Sequence, residues 1–492
     1  MTSQKKGRKV KLRAPSVYVR ILPESELGAH AQKDGHDVAK KLSGWTDSSV
    51  SITDRHQTVD YDFPKQVIPP EASQDYSYDT LLPGLLDSFL KMEDAYNVLY
   101  CAYGQTGTGK THSIFGPKSS LKDASEESQK EWGIFPRTVG KILEYMDQVR
   151  TPTRTAVANN ADADADADAD ANGGEETQTK TGRKHHGIIQ SILTVGAIDF
   201  YLGTSVDLLN NRAPVEVDAD RVPVGYKEHQ LTNLNDLISF LQDVSKLRKS
   251  FGTLMNNSSN VHDGSSRSHC ALILTLRQLR IGANANAGGE CECECMVNKF
   301  TMVDLAGAER PSTTGGDRMS GYETMLQIMM GKETTGGTGF IINYELHQLA
   351  TEVVKATEQN QRRKNYVPPK QLLLPSTQFL SACFDGSSLL GMLICLSQAN
   401  HCGWETWFSL QYGTTLSKLR CPVKPQPIRL FEKMIERSRK AVHATRIQLE
   451  NTPETGTPAS KYYSRRKGMA LHAKHQLHWL EVLVLEADEA TQ

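Results

Sequence analysis

No stretch of this 492-residue chain carries the ~18 consecutive apolar residues of a membrane-spanning helix. The longest apolar run, Leu389 to Leu396, suits a buried strand instead. Net charge is also missing: 56 Lys and Arg stand against 57 Asp and Glu. No chain-wide field selects a partner, so electrostatic binding has to come from local patches, and no nucleic acid is implied. Paired cysteines are lacking too. Six of the nine are scattered singly, which excludes a disulfide framework and fits a reducing compartment. The exception is Cys291-Glu292-Cys293-Glu294-Cys295. Alternate residues of a strand point to opposite faces and no His stands alongside, so it reads as a low-complexity run rather than a metal site. The N-terminus (residues 1–13) is basic through Lys5, Lys6, Arg8, Lys9, Lys11 and Arg13. It has no apolar region of a signal peptide and reads as a solvated tail.

What the chain does have is Gly104-Gln105-Thr106-Gly107-Thr108-Gly109-Lys110-Thr111, the phosphate-binding pattern G-x-x-x-x-G-K-T. Its glycines let the backbone turn tightly and aim N–H groups at phosphate oxygens, where side chains would collide. Lys110 adds a full positive charge near the β- and γ-phosphates, and the Thr111 hydroxyl is placed to hold Mg²⁺. The helix that follows contributes its positive end. The run Asn97 to Ala102 reads as a short buried strand, giving the strand–loop–helix order that the pattern needs.

Along the chain, Ser16 to Leu22 reads as a first strand ended by Pro23. Residues 24–57 are polar and irregular, and a weaker strand follows at Val59 to Phe63. A helix is expected near Leu81 to Lys91 and another after Gly133. Residues 150–186 break the pattern. Within them Ala161 to Ala171 is a strict Ala-Asp alternation that buries almost nothing, so the segment reads as a solvated, disordered insertion. Ile188 to Tyr201 looks like a buried strand and Leu234 to Leu247 an amphipathic helix.

Two further motifs follow. Ser265-Ser266-Arg267-Ser268-His269 precedes the apolar strand Cys270 to Leu276. Hydroxyls beside a fixed cation suit the sensing of a terminal phosphate and its Mg²⁺. Then Phe300 to Glu309 is an apolar strand ending in Asp304 and followed by Gly307. That is the second metal-and-phosphate element of a P-loop nucleotidase: Asp304 reaches Mg²⁺ through water, and the Gly307 N–H is placed to bond the γ-phosphate.

These motifs, in this order, resemble the kinesin motor domain. Ala102 to His112 is similar to that family's A-Y-G-Q-T-G-x-G-K-T-H, Ser265 to His269 to its S-S-R-S-H, and Val303 to Glu309 to its V-D-L-A-G-S-E, with Ala308 in place of Ser. Fainter echoes include Ser73-Gln74 with Tyr78, Gly133 to Arg137, Ile342-Asn343 and Val367-Pro368. The resemblance implies ATP as the nucleotide and Mg²⁺ as the metal, held by Thr111, Ser266 and Asp304. The residues Gly104, Gln105, Thr106, Gly107, Thr108, Gly109, Lys110, Thr111 and His112 would cradle the phosphates. Arg20, Pro23 and Tyr78 would lie at the adenine. Lys110, Ser266, Arg267, Gly307 and Glu309 would serve catalysis, Arg267 pairing with Glu309 across the γ-phosphate. Microtubules are the implied partner, and the cytoplasmic cytoskeleton the implied location.

The chain also departs from the family. Leu22 stands where a second Arg is usual. The segment from Glu309 to Ile342 is longer than usual and glycine-rich. The family's basic filament-binding helix reads here Lys370-Gln371-Leu372-Leu373-Leu374-Pro375-Ser376-Thr377-Gln378, with one cation. Arg362, Arg363 and Lys364, in the preceding loop, together with Lys370, are therefore the expected microtubule contacts.

The expected fold is α/β: a P-loop NTPase domain over residues 14–420, with a central mixed, mainly parallel sheet and helices on both faces. Residues 421–492 read as a proline-interrupted connector and a short helical tail, with helices at Ile428 to Leu449 and Leu471 to Leu485. Neither sustains clean heptads, so oligomeric state is not legible. Two functions fit: an ATP-dependent microtubule motor, or a non-motile binding protein that keeps nucleotide as a structural ligand.

Overall fold

The computed structural model describes residues 12–24, 40–55, 57–63, 66–150, 188–218, 220–255, 267–282, 292–308, 335–362, 364, 366–369 and 374–489. The Ala-Asp insertion lies outside them. Among the described residues, nine strands build the main sheet: β1 (Ser16–Ile21), β2 (Val67–Ile68), β3 (Val98–Tyr103), β4 (Ile188–Tyr201), β5 (Thr204–Asp207), β6 (Ala213–Pro214), β7 (His269–Ile281), β8 (Cys293–Asp304) and β9 (Leu389–Leu396). They lie in the order β2-β1-β9-β3-β8-β7-β4-β5-β6, with two short strands, His229–Gln230 and Arg429–Leu430, attached to β4 and β8.

From β2 to β8 the neighbours run parallel. From β8 onward they run antiparallel. The sheet is mixed, as expected, but the antiparallel share is larger than a mainly parallel sheet allows, because β7 and β8 meet as one long hairpin. β3 and β9 are buried along their whole length, so helices cover both faces there. The register puts Asp304 opposite Ala102 of β3 and opposite Cys270 of β7. That alignment carries the end of β8 to the start of the phosphate loop.

The helices used below are α1 (Gln74–Leu81), α2 (Lys110–Phe115), α3 (Ile134–Val149), α4 (Leu234–Met255), α5 (Thr335–Gln361), α6 (Gly403–Ser417), α7 (Phe431–Glu450) and α8 (Tyr463–Glu489). α1 starts where the Ser73 hydroxyl accepts the Tyr76 N–H, an N-cap that satisfies one of the free donors of the first turn.

Three expectations need correction. Residues 40–45 and 49–54 are strands, pairing with Gln57–Asp62 in a small three-stranded sheet. Val50 and Ile52 alternate inward while polar neighbours face out, a period-2 pattern diluted by serines and threonines. Cys293 and Cys295 open strand β8 instead of lying in a low-complexity run, since Cys-Glu alternation is itself period 2. The last helix is longer than expected and begins at Tyr463.

After α6 the chain pairs briefly with residue 13: the Arg13 N–H donates to the Cys421 carbonyl at 2.8 Å, and the Cys421 N–H to the Arg13 carbonyl at 2.9 Å. Arg429–Leu430 then adds to β8 at Glu294–Cys295. α7 and α8 fold back together over that end of the sheet. Phe431, Trp479, Leu480 and Leu483 pack there with Ile192, Leu279 and Cys295. Polar contacts reinforce the packing: Gln190 and Gln230 both donate to Glu486 at 2.8 Å, and His475 bonds the Tyr226 carbonyl at 3.0 Å.

Candidate functional site

The loop between β3 and α2 is shaped by what its glycines permit. A Cβ on Gly104 would stand 2.3 Å from the Cys395 carbonyl oxygen, so no other residue lets the loop lie against β9. Gly109, at φ 85°, turns the chain into the left-handed region just before α2. The Lys110 ammonium is buried inside the loop it serves, donating to the carbonyls of Gly104 at 2.9 Å and Gln105 at 2.7 Å. The Thr108 hydroxyl also donates to Gln105, at 2.8 Å. Gly104, Gln105 and Thr108 are buried with Lys110, while Gly107 is exposed at the tip and Thr106, Thr111 and His112 are half-buried.

The second element meets the first directly. The Thr111 hydroxyl donates to Asp304 Oδ2 at 2.8 Å. Leu305 N–H reaches the Ala102 carbonyl at 3.3 Å and Ala308 N–H the Gly104 carbonyl at 3.2 Å, which fixes Gly307 beside the loop. Asp304 Oδ1 is buried with no hydrogen-bond partner among the described residues. A carboxylate oxygen left free beside a threonine hydroxyl fits a hydrated divalent cation, so the donor set suits Mg²⁺.

One residue of this site escaped the sequence reading. Arg248 of α4 reaches Asp304 Oδ2 at 3.3 Å, with 6% and 1% of the two side chains exposed. Burial works against the guanidinium's charge, but Cys270, Asp304 and Asp199 outweigh it and hold Arg248 firmly protonated. Its signal was a cation on the apolar side of an amphipathic helix. A cavity of about 470 Å³ lies between the loop and α4, lined by Thr106, Gly107, Lys110 and Thr111 on one side and by Leu241 and Arg248 on the other.

At the other flank, Arg20 donates to Gln74 at 3.1 Å and to the Ser113 hydroxyl at 3.0 Å. Gln74 in turn donates to the His112 carbonyl at 3.1 Å. Arg20 is thus braced onto the first turns of α2 through a glutamine that the sequence reading used only as a faint echo. Pro23 follows β1, half-buried, next to Leu22, which lines the cavity. Tyr78, one helical turn after Gln74, is 6% exposed within the core, and burial pushes its phenol up to about 12. Like Arg20, it does not line the cavity. Behind the loop, burial raises the Cys395 thiol to about 11 against the pull of Lys110 and Arg20.

His269 joins three elements. Its Nδ1 accepts the Ala306 N–H at 2.9 Å, and its Nε2 lies 3.1 Å from Glu345 Oε2 on α5. Arg267 is half-buried two residues before it. Ser266 and Glu309 lie outside the described residues, as do Arg363 and Lys370. Arg362 and Lys364 are exposed just past the end of α5.

The family model for the kinesin motor domain matches residues 19–419. The kinesin-like protein KIF27 of Mus musculus is 26% identical over 399 residues, covering 78% of this chain and 23% of that protein. The kinesin-like protein KIF7 of Homo sapiens is 24% identical over 363 residues, covering 72% of this chain and 22% of that protein. The chain therefore spans about a quarter of the length of these relatives. Among solved structures, the KIF14 dimer in its two-heads-bound state, with AMP-PNP and in complex with a microtubule, aligns with a TM-score of 0.60 at 20% identity, over 84% of this chain and 96% of that one. A fast kinesin aligns with a TM-score of 0.55 at 17% identity, over 85% of this chain and 94% of that one.

Proposed function

Since the chain belongs to the kinesin motor domain family, we propose that it binds Mg-ATP, hydrolyses it, and couples the cycle to microtubule binding. The observation that carries this reading is the bond between Thr111 and Asp304. It joins the phosphate loop to the Asp-Gly element, with Lys110 buried beside it and one Asp304 oxygen left over.

In this reading the loop N–H groups and Lys110 hold the β- and γ-phosphates, and Thr111, Ser266 and Asp304 hold Mg²⁺. The metal, when bound, neutralises the phosphate oxygens. Asp304 is kept in place by Arg248, and the Gly307 N–H is offered to the γ-phosphate. Arg20, with Pro23, lies at the adenine flank, and Gln74 orients its guanidinium. Arg267 and Glu309 order the attacking water. Its oxygen bonds to the γ-phosphorus as the bond to the β-phosphate oxygen breaks, and its proton leaves to the surroundings. Positioning and fixed charge supply the rate, since the protein forms no covalent intermediate.

A second reading keeps the nucleotide as a structural ligand in a non-motile binding protein. It is favoured by the segment after Val367-Pro368, whose helix Pro375–Ser381 carries no cation. ATP turnover measured with and without microtubules separates the two. Turnover that microtubules stimulate supports the motor. Tight nucleotide binding without turnover supports the alternative.

A further inference from the structure

Glu345 is a costly residue to place where it stands. It occupies the apolar side of α5 among Ile342, Leu346 and Leu349, and 2% of its side chain is exposed. A buried carboxylate is tolerated only where donors compensate it. Here one oxygen faces His269 Nε2, while Oε1 has no hydrogen-bond partner among the described residues. An alanine or leucine would pack with less penalty, so packing alone does not account for the acid.

The histidine's other bond settles which atom carries the proton. Nδ1 accepts the Ala306 N–H, so it carries no hydrogen, and the ring proton sits on Nε2, pointing at Glu345. The result is a directed chain: Ala306 N–H to His269, and His269 to Glu345. Ala306 lies between Asp304 and Gly307, the residues placed at the metal and the γ-phosphate. Its far end is a helix that continues to Gln361, beside the exposed Arg362 and Lys364.

We propose that Glu345 is a positioning residue for the nucleotide site. Through His269 it holds the backbone of residues 305–307 in place and so sets how firmly the phosphate end of the nucleotide is held. The inference rests on the reading that this site binds nucleotide.

Release of the fluorescent nucleotide mant-ADP tests it. Glu345→Leu removes the acceptor and should speed release by about tenfold, the effect of one lost charge-assisted hydrogen bond. Glu345→Gln keeps an acceptor oxygen toward Nε2–H and should stay within about twofold of the parent. A purely structural role predicts lower thermal stability in Glu345→Leu with unchanged release, and that result overturns the proposal. So does a Gln variant as fast as the Leu variant. Should Glu345→Leu fail to fold, ¹⁵N-histidine spectra of the parent decide. The His269 ring signals should move when ADP is added, and no movement counts against the tether. A parent that holds no mant-ADP fails differently, because it removes the nucleotide reading itself.

Discussion

Lys110 sits with its ammonium between two carbonyls of its own loop, a buried cation compensated by the element that would receive phosphate. Lys110→Ala should lower mant-ATP affinity by at least about 100-fold, since a lost charge contact in a dry site is worth several kcal/mol. Parent-like affinity in a fluorescence titration would remove the assignment. Arg248 has a different character, because its partner is a buried acid. Arg248→Met leaves Asp304 desolvated beside Thr111 and should cost about 3–5 kcal/mol in urea unfolding. Arg248→Met/Asp304→Asn should recover part of that loss, since both charges are then gone. At this scale the sequence was informative where a motif fixes residue types in order, as with Lys110, Thr111 and Asp304. It is silent on Glu345, offers Gln74 only as a faint echo, and offers Arg248 only as a cation on the apolar side of a helix. Each of these works through a partner far away in the chain, and spacing does not reveal such a partner.

Elements were legible wherever the apolar period was undiluted. Ile188–Tyr201 and the phosphate-loop strand fall within a residue or so of expectation. Serine and threonine blur the alternation of the strands at residues 40–54, and the polar first turns of α8 hide its start. The tail pair α7–α8 now has a testable energy. Trp479 is buried at the sheet's end with the Arg277 guanidinium 5.8 Å from its ring centre. Trp479→Ala should destabilise the tail by about 3–5 kcal/mol, read as faster amide exchange in α8. The same helix carries a pH dependence. Burial, seconded by Lys299, pulls His472 down from 6.5 to about 4. The unfolded chain takes up this proton below about 6.5 and the folded chain only below about 4, so between those values the unfolded state binds more protons. Stability should therefore fall as pH drops through that window. His472→Phe should flatten the slope in thermal melts between pH 7 and pH 4, and an unchanged slope would show that the imidazole is not the group responsible.

For the molecule as a whole, near-neutral charge means that, in the motor reading proposed above, attraction to an acidic filament has to be local. Arg362 and Lys364 are exposed at the end of α5, and Arg363 and Lys370 complete the expected patch. Contacts of this kind are screened over ~8 Å at physiological salt. Microtubule co-sedimentation should weaken steeply as salt rises, and Arg362→Glu/Arg363→Glu/Lys364→Glu should pellet at least about fivefold less at low salt, with basal turnover retained. Equal pelleting would reduce the patch to a solvated turn. The long hairpin of β7 and β8 runs from the phosphate loop to the tail helices. With 13 residues at ~3.4 Å each, β7 spans roughly 40 Å. It begins at His269 and passes Trp479 at Arg277, and its neighbour ends at Asp304 and begins at the strand formed by Arg429–Leu430. Two ligands on one stiff body obey reciprocity. Whatever factor nucleotide applies to docking of the tail, docking of the tail must apply to nucleotide affinity. The coupling can thus be measured from either end, and the two values have to agree.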